Sequence, residues 1–77
     1  MKKIAEKLID FGMDFQYENY NSEGEKIISF PSSIEVVRQK GKIHFEYCGQ
    51  QTILDDNEES MNKVAVLVEQ ACIEETT

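Results

Sequence analysis

The 77-residue sequence predicts an α+β fold, a two-layer sandwich, from three observations. Apolar residues recur at helical spacing at both ends of the chain. The segments between them alternate as half-buried strands do. A two-residue glycine turn joins the two clearest strands. The predicted order is α-β-β-β-β-(β)-α: an antiparallel meander of four strands, with a fifth as an option, under an N-terminal and a C-terminal helix on one face. It makes a single small domain over 1–77.

The first helix is read over Lys2 to Phe11. Ile4, Ala5, Leu8 and Ile9 share one helical face, with Lys3, Glu6, Lys7 and Asp10 on the other. Gly12 suits the left-handed position after the helix, and Met13 can then return to Leu8 in a Schellman ending. No residue ahead of Lys2 supplies a side-chain cap. Asp14 to Asn19 alternates, with Phe15 and Tyr17 to one side and Gln16 and Glu18 to the other. Tyr20 to Glu25 reads as a polar loop and Lys26 to Phe30 as the next strand. Pairing Tyr17 with Ile28 and Phe15 with Phe30 gathers four large side chains on one face and leaves Ile27 on the opposite one. Pro31-Ser32-Ser33 then interrupts the ladder.

Ile34 to Tyr47 organises the rest. Two strands flank Lys40-Gly41, a two-residue turn in which Gly takes positive φ. Pairing Gln39 with Lys42 places Ile34, Val36, Ile43, Phe45 and Tyr47 on one face, and Glu35, Val37, His44 and Glu46 on the other. A three-residue loop would oppose Val36 to His44 and Ile34 to Glu46. That slip drives polar groups into the core, so the hydrophobic pattern favours the two-residue register. Beyond Tyr47, Gly49 at the first central position suits a type II′ turn. Gln51 to Leu54 can fold back as the fifth strand, with Leu54 beside Phe45. Asp55, Asp56 or Asn57 caps the last helix, and Glu58 and Glu59 sit where the helix dipole favours negative charge. Met61, Val64, Ala65, Val68, Ala71 and Cys72 form its buried stripe, with Leu67 at the edge, as far as about Glu74. Glu75-Thr76-Thr77 is expected to fray.

Charge narrows the function classes. The net charge is −7, from 15 acidic and 8 basic side chains. The acidic and basic residues cancel over 1–42, so the whole excess lies in 43–77, where Lys63 is the single base. Such a chain is not drawn to nucleic-acid phosphates or anionic lipid, so no direct nucleic acid and no membrane is expected as a partner; a protein is. No secretory or membrane-spanning run is evident and two cysteines make no disulfide framework, so the expected setting is cytoplasmic.

Catalytic machinery is not expected, and no cofactor is predicted. His44 is the single histidine, and Cys48 lies four strand residues further on, roughly 13 Å at strand rise. That is too far for a nucleophile–base pair. Each glycine stands alone, with no phosphate-loop spacing. The sequence therefore predicts a small non-catalytic binding or regulatory module with a protein partner. The candidate interaction surface comprises Glu35, Val37, His44 and Glu46 on the open face, with Ile27 and Ile53 as apolar companions, and Asp55, Asp56, Glu58 and Glu59 before the last helix. One alternative is a mimic of nucleic-acid charge that uses the acidic second half to occupy a basic groove. Another is a weak metal site in which His44, Glu46 and Cys48 share a face with Glu35. A homodimer through an exposed edge strand is a further option.

Overall fold

The computed structural model describes residues 1–30 and 33–76. Helix α1 covers Lys2–Asp10, followed by strands β1 (Asp14–Asn19), β2 (Gly24–Phe30), β3 (Glu35–Gln39), β4 (Lys42–Tyr47) and β5 (Gln50–Asp55), then helix α2 (Glu58–Thr76). The sheet is an antiparallel meander in the order β1-β2-β3-β4-β5. The fifth strand is therefore present and is one residue longer at each end than predicted. Both helices lie on one side of the sheet, and the core is a single cluster between the layers.

Local chemistry explains the ends of α1. The Met13 N–H donates to the Leu8 carbonyl and the Gly12 N–H to the Ile9 carbonyl, both at 2.9 Å, with Gly12 at φ +70°. This is the predicted Schellman ending. Ile4 and Leu8 are fully buried, but Ile9, assigned to the same stripe, is 62% exposed. The contact face of this short helix is narrow, and Ile9 lies outside it.

The central hairpin takes the two-residue register, with Gln39 opposite Lys42 and Glu35 opposite Glu46. Lys40 and Gly41 both have positive φ, which makes a type I′ turn. The next turn is also type I′ rather than II′. Tyr47 pairs with Gln50, so Cys48 and Gly49 are the two central residues, at φ 52° and 79°. Leu54 lies opposite Ile43 rather than Phe45, on the same covered face.

The β1–β2 register departs from expectation by one residue. Tyr17 pairs with Ile27 and Phe15 with Ser29. Ile27 is therefore fully buried beneath the helices, and Ile28 and Phe30 face outward. Three features on the β3 side of β2 accompany the inward turn of Glu25, Ile27 and Ser29. Glu25 comes inward opposite Arg38. Ser29 is buried, and its Oγ accepts the Ile34 N–H at 3.0 Å. Gly24 crosses so close to β3 that a Cβ there would lie 2.1 Å from the Arg38 carbonyl oxygen. The segment ahead of β2 is not a free loop: Asn21–Glu23 forms a 3-10 turn, and Tyr20 N–H donates to the Gly24 carbonyl at 2.8 Å. Pro31, Ser32 and Thr77 lie outside the described residues.

Helix α2 is capped by Asn57, whose Oδ1 accepts the Ser60 N–H at 2.8 Å. Its predicted stripe is buried: Val64, Ala65, Val68, Ala71 and Cys72, with Met61 and Leu67 packed against the cluster. The helices are tied by Lys3–Asn62 and Lys7–Glu69 contacts, so they run side by side. Among the described residues, no helix is long and apolar enough to cross a membrane.

Candidate functional site

With both helices on one side, the other face of the sheet is covered by none of the described residues. Strand alternation arranges its side chains in rows. Glu18, Lys26, Val37, His44 and Ile53 form one row across the five strands; Gln16, Ile28, Glu35, Glu46 and Gln51 form the next. The four open-face residues singled out from the sequence, Glu35, Val37, His44 and Glu46, converge. With Gln39 and Gln51 they line one shallow depression of about 210 Å³ at the centre of the sheet.

Glu35 and Glu46 are direct cross-strand partners, and neither has an ion pair among the described residues. Opposed like charges on neighbouring strands are mutually destabilising. Over the whole face, Asp14, Glu18, Glu35, Glu46 and Asp55 stand against Lys26 and Lys42. Lys42 is engaged with Asp55 at 2.5 Å, and this hydrogen bond holds the Asp55 carboxyl below its ordinary range. The Tyr20 hydroxyl donates to Glu18, which raises the Tyr20 phenol. Ile53 and Phe30 are about half exposed on the same side, at 53% and 46%. Ile27 is absent from this surface, as its burial requires, and Ile28 takes its place.

The other four predicted residues are dispersed. Asp55 faces the open side at the β5 edge. Asp56 turns to the covered side and meets Arg38 at 3.3 Å. Glu59 pairs with Lys63 one helical turn on, at 3.7 Å. Glu58 has no ion pair among the described residues. Three of the four carboxylates are thus partly neutralised within the chain.

A second polar cluster was hidden from sequence reasoning. Glu25 is almost buried on the covered side, where Tyr17 Oη donates to it at 2.8 Å and Arg38 Nη2 approaches at 2.9 Å. The α-amino group of Met1 lies 3.3 Å away. Burial pushes the Glu25 carboxyl up, but the Tyr17 hydroxyl, the ammonium group and Arg38 together outweigh it and hold the carboxyl below its ordinary range. The same contact raises the Tyr17 phenol. The signal was available in outline: Glu25, Ile27 and Ser29 share a strand face, so a buried Ile27 brings Glu25 in with it.

The cysteines are far from this chemistry. Cys48 is exposed in the second I′ turn, not on a strand beside His44 and Glu46 as the metal reading required. Tyr47 beside it donates to Glu75, and that bond raises the Tyr47 phenol strongly. Cys72 is fully buried, and burial raises its thiol. Among the described residues, no group of three or more His, Cys, Asp and Glu side chains is placed to hold a metal ion. Comparison of the chain with protein-family models, curated proteins and solved structures found no match.

Proposed function

We propose that the chain is a small non-catalytic protein-binding or regulatory module whose partner docks on the open face of the sheet. The observation that carries this reading is the central depression, where Glu35 and Glu46 oppose each other beside Val37 and His44, with no ion pair to either carboxylate among the described residues. A Lys or Arg from a partner, set between the two carboxylates, relieves their repulsion. Apolar side chains of the same partner then cover Val37, Ile28 and Ile53. Charge supplies orientation and encounter rate, and the apolar contact supplies affinity. The internal pairing of Asp55, Asp56 and Glu59 favours this face over the acidic helix start as the contact region.

The test is capture from source-cell lysate at low and high salt. The unmodified chain should retain a defined protein, and Val37→Asp or the double variant Glu35→Lys/Glu46→Lys should lose it while remaining folded by circular dichroism. Loss instead with Glu58→Lys/Glu59→Lys, with steep salt dependence, would transfer the site to the acidic half and make charge mimicry the better reading. A partner unaffected by any of these changes overturns both.

A further inference from the structure

The two edges of the sheet differ, and the β5 edge carries a further interaction surface. The I′ turn makes Tyr47 and Gln50 a hydrogen-bonded pair. Alternation then turns the N–H and C=O of Gln50, Thr52 and Leu54 toward β4, and those of Gln51 and Ile53 outward with the Asp55 N–H; the Asp55 carbonyl accepts the Asn57 N–H at 3.0 Å. Exposed edges are commonly protected by charge, proline or a bulge. Edge strand β1 carries Asp14 and Glu18. Strand β5 is uncharged from Gln50 to Leu54 and pairs with β4 without interruption. Beside it, Thr52, Leu54, Lys63, Val66, Leu67 and Gln70 line an apolar groove of about 380 Å³ between β5 and α2. Val66 is 51% exposed there.

We infer that this edge pairs with β5 of a second copy of the chain. Charge selects the location. Each copy carries −7, so two copies repel over most of their surfaces. The β5–α2 strip contains no carboxylate before Asp55, and Lys42 already compensates that one. Register selects the arrangement. A two-fold axis at Ile53 sets Ile53 against Ile53 of the second copy, Thr52 against Leu54 and Gln51 against Asp55, so every outward-facing residue of β5 meets an outward-facing residue. Centring on Asp55 would oppose two carboxylates and is disfavoured. The product is a ten-stranded sheet with a continuous open face and with Val66 and Leu67 brought toward their counterparts. The edge adjoins the central depression, which Gln51 also lines, but pairs through its backbone and does not require the docking proposed there.

Sedimentation equilibrium of the full chain from micromolar to millimolar concentration tests the pairing. A monomer–dimer equilibrium is expected, with the amides of Gln51, Ile53 and Asp55 exchanging about tenfold more slowly at the high end. Ile53→Pro removes an outward N–H without touching the β4 ladder, and Val66→Lys, at an exposed helix position, adds a second cation to the groove beside Lys63; each should give a monomer. If Ile53→Pro fails to fold, Val66→Lys decides. A chain monomeric at millimolar concentration overturns the inference, as does a dimer that survives Val66→Lys.

Discussion

Ile27 and Ile28 are adjacent in β2 and occupy different surroundings. Ile27 is sealed between the sheet and the helices, in a layer whose polar groups are satisfied by Glu25, Arg38, Tyr17 and Ser29. Ile28 lies on a face that leaves two glutamates opposed and half its apolar groups in water. The covered face is resolved internally, in both packing and charge. The open face keeps an unresolved repulsion, which is tolerable because water screens it. A surface that is only tolerable alone is one that a partner can improve.

The contrast can be broken most sharply at that pair. Ile27→Asp buries an uncompensated carboxylate and should cost more than about 4 kcal/mol, enough to unfold a domain of this size. Ile28→Asp should cost about 1 kcal/mol or less. Urea denaturation of the two variants measures both, and similar losses would mean that the two faces are not distinct. Next in size is Gly24→Ala, where the added Cβ meets the Arg38 carbonyl and the backbone sits at φ +133°. About 2–4 kcal/mol should be lost, because the β2–β3 crossing must open to admit a methyl group.

The ionic cluster should follow. Arg38→Ala leaves Glu25 short of its nearest cation, but Arg38 is 40% exposed and water compensates in part, so a loss of about 1–2 kcal/mol is expected. Its pH signature has a definite sign. The folded Glu25 carboxyl lies below its unfolded value, so its contribution is complete above the unfolded pKa of about 4.3 and disappears as pH falls through the lower folded value. Glu25→Gln should therefore flatten the acid limb of a stability–pH curve below about pH 4. An unchanged limb would show that Glu25 is not tied in this way. The smallest change belongs to the open face. Glu46→Lys converts the repulsive pair with Glu35 into an attractive one and should stabilise the chain by about 0.2–1 kcal/mol, with the gain shrinking in high salt. A loss of stability there would mean that the two carboxylates are already compensated.

Legibility in the sequence followed the strength of the local signals. Around Lys40-Gly41 the turn length and the alternating pattern agree, and the observed register is the predicted one. The α2 stripe, the Schellman ending at Gly12 and the meeting of Glu35, Val37, His44 and Glu46 were readable for the same reason. In β2 the two signals conflict. Counting apolar residues favours Ile28 and Phe30 as the inward set, yet Ile27 is inward together with Glu25 and Ser29. The second glycine turn was misplaced by one residue because a left-handed Cys48 is an uncommon choice beside Gly49.

Periodicity, turn glycines and charge placement are properties of neighbouring residues, so the order of elements, both helices and the central hairpin could be read from the amino acids alone. The inward turn of Glu25, the destination of Asp56 and the bare β5 edge depend on residues distant in the chain. Glu25 can be buried only because Arg38 and Tyr17 arrive from other strands to hydrogen-bond its carboxylate. Burial of a charge is set by the company it keeps in space, and that company exists only once the sheet has formed.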